Sequence, residues 1–163
     1  MRSTAAIVDA SAAEAFLRSG RLAVVGASDA KESFGRTVYE ELRSRDLDVV
    51  AVHPTAETVA GDPCYPSLDA VPGELAGAIV MVAAPASVEV VRQVAARGIP
   101  RVWLFRGAGP GASSADAIAT ARDLGLEVVP GACPLMFLTP TSGIHRIHRG
   151  IRRLRRQVVS HAA

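Results

Sequence analysis

Short apolar runs alternate along the chain with longer segments in which apolar and polar positions follow a helical period. The apolar runs are bounded by Gly, Pro or charged residues and predict buried strands. We place five of them, at residues 22–25, 49–52, 78–83, 102–105 and 127–129. The amphipathic segments predict helices over residues 11–19, 35–45, 87–97 and from Ser113 or Ser114 to Leu124.

Strands and helices that alternate with short links are typical of a parallel sheet with right-handed crossovers. The sequence therefore predicts an α/β protein: a single doubly wound Rossmann-like parallel sheet of about five strands, in an order such as 3-2-1-4-5. Residues 55–72 are rich in Pro, Gly and Asp and predict a loop, and residues 130–141 predict irregular structure. The 163 residues suit one domain, and the aromatic content of 4% leaves the core to aliphatic side chains.

Charge is distributed unevenly along the chain. No acidic residue follows Glu127, whereas six arginines follow it, so a net charge of +2 divides into a basic tail and a mildly acidic body. Within residues 142–158, apolar positions recur at spacings of three and four, which predicts a basic amphipathic helix. We assign residues 1–141 to the Rossmann-like domain and 142–163 to this helix of the same domain. Packing on the domain, a homodimer contact and a polyanion contact are its three interpretations.

Several function classes lose support from the sequence. The two cysteines, Cys64 and Cys133, are far apart and form no metal-ligand spacing, so a reduced cytoplasmic protein is expected. We find no signal peptide and no apolar run long enough to span a membrane. His145 and His148 have no third ligand nearby, so no metal site is predicted, and no catalytic Ser-His-Asp set is apparent.

The turn after the first predicted strand is the strongest candidate for ligand binding. Gly26, Ala27 and Ser28 lead into a helix whose N-terminus would favour a phosphate. Lys31, the sole lysine, and Gly35 lie in the same loop. The turn departs from the G-x-G-x-x-G pattern, and a tight turn without a ligand is the alternative.

The residues that follow the second and third predicted strands limit the kinds of ligand that the site could bind. The second strand ends at His53-Pro54, where a protein that binds NAD would place an acidic residue. A neutral or positive group there favours a ligand with a phosphate on its ribose, such as NADP or coenzyme A. Ala84, Pro85 and Ser87 follow the third strand and leave room for a ligand, with Ser87 as the expected helix N-cap.

Taken together, these loops resemble the CoA-binding domain family, which includes stand-alone bacterial proteins and the N-terminal domain of the succinyl-CoA synthetase α subunit. The matching segments are Val-Val-Gly-Ala-Ser at 24–28, Ala-Val-His-Pro at 51–54, Tyr-Pro-Ser-Leu at 65–68, Val-Ala-Ala-Pro at 82–85 and Gly-Ala-Cys-Pro at 131–134. The resemblance covers residues 13–153. It implies a Rossmann-like fold that binds CoA in the crevice at the strand ends.

The resemblance also implies roles for individual residues. Gly26, Ala27 and Ser28 would contact the CoA phosphates, and Lys31 and Gly35 would border the same loop. His53 and Pro54 would flank the adenosine, the crevice would be lined by Ala84, Pro85 and Ser87, and Pro134 would close its far side. In the synthetase a basic residue follows the proline of the second loop, where this chain has Thr55.

The expected function is binding of CoA or an acyl-CoA in a non-catalytic or regulatory role. The synthetase's phosphohistidine lies in another domain, so its catalysis is not carried over. Two alternatives come from other classes: an NADP-dependent oxidoreductase, and a nucleic-acid-binding module that uses the arginine-rich tail.

Overall fold

The fold is described from a computed structural model, which covers residues 8–30, 33–107 and 111–138. Its helices are α1 (Ala10–Leu17), α2 (Phe34–Ser44), α3 (Ala84–Ala96) and α4 (Ala115–Asp123), followed by a 3-10 helix at Pro134–Phe137. Its strands are β1 (Leu22–Val25), β2 (Val49–Val52), β3 (Thr58–Val59), β4 (Asp62–Tyr65), β5 (Gly77–Val80), β6 (Arg101–Phe105) and β7 (Glu127–Ala132).

The strands form one sheet in the order β3-β4-β2-β1-β5-β6-β7. Every neighbouring pair from β4 to β7 is parallel, and β3 pairs antiparallel with β4. The predicted doubly wound α/β class is confirmed, but the sheet has seven strands where about five were expected.

The predicted strand order was wrong in one respect. The third predicted strand corresponds to β5. It was expected to pair with β2, but it pairs with β1 instead, so the five predicted strands stand in the order 2-1-3-4-5. The reason is the hairpin formed by β3 and β4, because β4 occupies the free edge of β2. The chain that follows the hairpin therefore crosses to the other side of β1.

That hairpin also replaces much of the loop predicted over residues 55–72. Its two turn residues, Ala60 and Gly61, have φ values of 52° and 79°, as two-residue hairpin turns of the I′ kind require. Pro63 lies in β4 opposite Thr58, and a proline in a short run conceals a strand from sequence patterns.

Two cores lie on opposite faces of the sheet. One contains Ala23, Val80 and Leu104 and is covered by α3 and α4. The other contains Leu22, Ile79 and Trp103 and is covered by α1, α2 and the 3-10 helix. Successive residues of one strand point to opposite faces, so the continuous apolar runs serve both cores.

Some predictions concern residues that the structure does not describe. The basic helix expected over residues 142–158, the boundary after residue 141 and Lys31 all lie outside the described ranges. They stay predictions. No helix in the described ranges has the length and apolar character needed to cross a membrane.

Candidate functional site

The loops singled out by sequence follow three neighbouring strands, β2, β1 and β5. Because these strands are parallel, their carboxyl ends meet at one edge of the sheet. The chain leaves β1 for α2 on one face and leaves β5 for α3 on the other. In open α/β sheets such a change of side creates a crevice, here expected between β1 and β5, and ligands bind there.

Gly26 directly follows β1 and has a backbone conformation that only glycine adopts freely. Its φ is +100°, and a Cβ built at this position would lie 2.8 Å from the carbonyl oxygen of Met81. Its N–H donates to the carbonyl of Val52 at 2.9 Å, which fixes the start of the turn to the sheet. The N–H groups of Ala27 and Ser28 meet no acceptor among the described residues. Ala27 is fully buried, so of the three residues expected at a phosphate, half-buried Ser28 is the one that offers its amide to a ligand.

Gly35 allows α2 to approach this turn closely. A Cβ at Gly35 would lie 2.9 Å from the Cα of Ala27 and 3.0 Å from the carbonyl oxygen of Gly26. Ser33 caps the helix by accepting the N–H of Arg36 at 3.4 Å. The N-terminus of α2 therefore lies directly against the turn, as expected for a phosphate site.

Asp29, which the sequence analysis did not select, ties the turn to the hairpin. Its carboxylate accepts the N–H of Ala60 at 2.8 Å and the hydroxyl of Thr58 at 3.1 Å. The Ala60 hydrogen bond, with smaller contributions from Thr58 and Arg36, holds the pKa of Asp29 below its ordinary value. Asp29 is therefore ionised at neutral pH, and it holds Ala60 in its left-handed conformation.

Arg36 is the second residue that sequence reasoning missed. Its guanidinium lies 3.4 Å from the Asp29 carboxylate and 3.2 Å from that of Glu40. Arginine in the first turn of a helix opposes the helix dipole, and this placement was the one available signal in the sequence. The structure thus puts a guanidinium beside the turn where a phosphate was expected.

His53 directly follows β2, and its ring forms hydrogen bonds with the backbone of the loop that comes next. Nδ1 accepts the N–H groups of Thr55 at 3.3 Å and Ala56 at 3.2 Å. Two amide donors require an acceptor at Nδ1, so the neutral ring carries its proton on Nε2. Nε2 is thus a hydrogen-bond donor, and Pro54 next to it is exposed.

The start of α3 differs from the prediction. The helix begins at Ala84 after Ala83, and Pro85 lies in its first turn, a favourable position for proline. Ser87 is therefore not the N-cap. It is fully buried, and its hydroxyl donates to the carbonyl of Ala84 at 2.7 Å and lies 3.3 Å from the hydroxyl of Ser114. Ala84 and Pro85 form the first turn of α3 after β5, whereas Ser87 links α3 to the cap of α4.

An aromatic pair lies on the α2 side of the same edge. The rings of Phe34 and Phe105 are 5.4 Å apart between centroids, and Phe34 is 49% exposed. Phe34 opens α2 directly before Gly35, and Phe105 ends β6 next to β5. An exposed aromatic surface therefore adjoins the crevice beside the turn.

Two further residues from the sequence analysis, Pro134 and Cys64, belong to segments outside the three central strands. Pro134 is buried and begins the 3-10 helix, which packs against α1 and α2. Cys64 is half-buried in β4, and burial raises the pKa of its thiol, so it is a poor nucleophile. No group of three or more metal-ligating side chains comes together in the parts of the chain that the structure describes.

The parallel sheet, the crevice at its strand reversal and the glycine turn against a helix N-terminus define a Rossmann-like nucleotide-binding fold. Comparison with family models makes this specific, since residues 20–139 match the model described as a CoA binding domain. The chain belongs to this CoA-binding domain family.

Relatives in sequence and structure agree with this family. A stretch of 63 residues is 38% identical to acetate–CoA ligase [ADP-forming] I of Archaeoglobus fulgidus, covering 39% of this chain and 9% of that protein. The match therefore spans a small part of that relative.

Two solved structures share the fold. A hypothetical protein from Pyrococcus horikoshii is 27% identical with a TM-score of 0.71, over 84% of this chain and 94% of that one. The apo dinucleotide forming acetyl-coenzyme A synthetase 1 of Ca. Korarchaeum cryptofilum is 22% identical with a TM-score of 0.60, over 71% of this chain and 26% of that one.

Proposed function

We propose that this protein binds coenzyme A or an acyl-CoA in the crevice between β1 and β5, in a non-catalytic or regulatory role. The observation that carries the proposal is the close approach of Gly35 to the turn at Gly26 and Ala27, within a chain whose family is a CoA-binding one. This contact brings the N-terminus of α2 to the turn, where the half-buried amide of Ser28 meets no described acceptor. A pyrophosphate is the anion that such a turn accommodates.

The end of β2 supports CoA over NAD. His53 offers an Nε2–H donor and is followed by Pro54, so this strand ends without the carboxylate that binds the adenosine ribose in NAD-dependent proteins. A ribose that carries a phosphate would be repelled by a carboxylate and is accepted by a neutral or positive group. CoA and NADP both carry such a phosphate.

A thermal-shift panel separates the candidate ligands. CoA and acetyl-CoA at concentrations well above their dissociation constants should raise the unfolding temperature, because a ligand that binds only the folded state stabilises it. NADP, NAD and a DNA duplex should leave it unchanged. A shift with NADP and none with CoA would favour the oxidoreductase alternative, and a shift with DNA alone would favour nucleic-acid binding.

Ser28→Glu tests the location of the site. It places a negative charge on the turn and should abolish the CoA shift. Ser11→Glu is the matched control, because Ser11 is exposed on α1, where added charge should not alter the shift. An undiminished CoA shift in Ser28→Glu would place the ligand elsewhere.

The absence of catalysis has its own test. Acetyl-CoA incubated with the protein should be recovered unchanged, as measured by mass spectrometry against a sample without protein. Protein-dependent release of free CoA or transfer of the acetyl group would replace the non-catalytic proposal with an enzymatic one.

A further inference from the structure

The turn proposed to receive phosphates carries a fixed negative charge of its own. Asp29 follows Gly26 by three residues, and both of its carboxylate oxygens are held by the hairpin, through Ala60 at 2.8 Å and Thr58 at 3.1 Å. Its carboxylate cannot turn away without breaking these bonds. A phosphate on the same turn would therefore meet a like charge, which is unfavourable at short range.

The positive charge of Arg36 lies next to the Asp29 carboxylate. One terminal nitrogen of its guanidinium lies 3.4 Å from Asp29 Oδ1, and its Nε lies 3.2 Å from Glu40 Oε1. Arg36 is the third residue of α2, a position where a cation opposes the helix dipole. The helix dipole thus disfavours an arginine here, whereas Glu40 on the same helix and Asp29 on the turn both favour it.

We propose that Arg36 is a specificity-determining residue: it neutralises Asp29 on the phosphate-binding turn and so allows the turn to accept an anionic ligand. This inference rests on the proposed function, since it requires the CoA phosphates to lie at that turn. Two consequences follow. Loss of Arg36 leaves the anchored charge of Asp29 facing the phosphates, and loss of both charges makes the turn neutral again.

A double-mutant cycle measures this directly. Wild type, Arg36→Gln, Asp29→Asn and the double variant are titrated calorimetrically with CoA. Arg36→Gln should weaken CoA binding about tenfold, which corresponds to about 1.4 kcal/mol. The CoA affinity of the double variant should return to within about threefold of wild type. Without Asp29 there is no charge for Arg36 to neutralise, so the effects of the two substitutions are not additive. Asparagine keeps an acceptor for the Ala60 N–H, so the hairpin anchor survives in Asp29→Asn.

Two controls separate charge balance from general damage. Arg18→Gln also removes an arginine paired with a glutamate one helical turn away, but on α1, and should leave CoA affinity unchanged. Pantetheine, which contains no phosphate, should bind wild type and Arg36→Gln equally. Urea unfolding of each variant shows that it is folded at the titration temperature.

Three results would overturn the inference. Equal CoA affinity in Arg36→Gln and wild type would show that Arg36 has no part in binding. A double variant as weak as Arg36→Gln would show that Arg36 acts without reference to Asp29. If wild type itself fails to bind CoA, the proposed function falls and this inference falls with it, so the two failures are distinguishable.

Discussion

α2 packs against the turn after β1 at Gly35, and substitution of Gly35 tests that contact. Gly35→Ala places a Cβ 2.9 Å from the Cα of Ala27, a distance that real Cβ atoms do not tolerate. Alanine favours a helix over glycine by about 1 kcal/mol, yet we expect a net loss of stability because overpacking against backbone costs about 1–3 kcal/mol. The free energy of unfolding in urea measures the balance.

Thr37→Ala is the matched control for Gly35→Ala. Thr37 is exposed on the same helix, so alanine there changes helix propensity without a clash. It should be neutral or slightly stabilising. A Gly35→Ala protein as stable as Thr37→Ala would contradict the close packing of α2 on the turn.

A second prediction concerns Asp29 and the stability of the protein at acidic pH. The Ala60 N–H is the main cause that lowers the pKa of Asp29 from its ordinary 3.8 in the folded state. A lowered folded pKa means that Asp29 stabilises the fold above about pH 4, and that this contribution is lost as pH falls through the folded pKa. The melting temperature of wild type should therefore exceed that of Asp29→Asn at pH 6, and the two should converge as the pH falls below the lowered folded pKa. A difference independent of pH would contradict an ionised anchor.

At the scale of elements, the hairpin of β3 and β4 depends on contacts with distant residues. Asp29 holds its turn, and the buried carboxylate of Asp62 pairs with Arg43 and accepts the hydroxyl of Tyr39 at 3.0 Å. Tyr39 and Arg43 both lie on α2. The hairpin is thus fixed to the helix that borders the crevice and to the turn that begins it.

Tyr39→Phe tests this anchor. It removes the donated hydroxyl and leaves the Asp62 carboxylate, 7% exposed, with one bond fewer, so we expect a loss of about 1–3 kcal/mol in the free energy of unfolding. Tyr65→Phe is the control, because Tyr65 lies in β4 and its hydroxyl bonds to no described residue. Equal urea midpoints for the two variants would show that the Asp62 bond contributes nothing.

The same dependence explains what the sequence could and could not predict. β1 and β2 were predicted with their observed bounds, because each is a continuous apolar run that signals a strand by itself. The hairpin was missed because alanine does not signal a positive φ, and the Asp29 carboxylate that binds the Ala60 N–H lies 31 positions away in sequence. Asp29 and Arg36 were missed for the same reason, whereas Gly26 and Gly35 were selected because glycine itself signals a turn.

At the scale of the molecule, one sheet serves two cores, so we expect both to unfold together. Trp103, the only tryptophan, is fully buried on the α1 face, where its indole N–H donates to the carbonyl of Ala132 at 2.8 Å. Its ring packs edge-on against Phe16 at 5.5 Å and Phe137 at 5.6 Å. Tryptophan fluorescence therefore reports on this core, while far-UV circular dichroism also reports on α3 and α4 across the sheet.

The urea midpoints from these two probes should coincide, because β1, β5 and β6 contribute side chains to both cores and neither face can lose its packing alone. CoA in excess should raise both midpoints equally, since the crevice lies where β1 and β5 end and binding stabilises the folded molecule as a whole. A fluorescence transition that precedes the circular dichroism transition would show that the α1 face unfolds separately. A CoA-induced change in one midpoint only would show that the ligand stabilises one layer without the other.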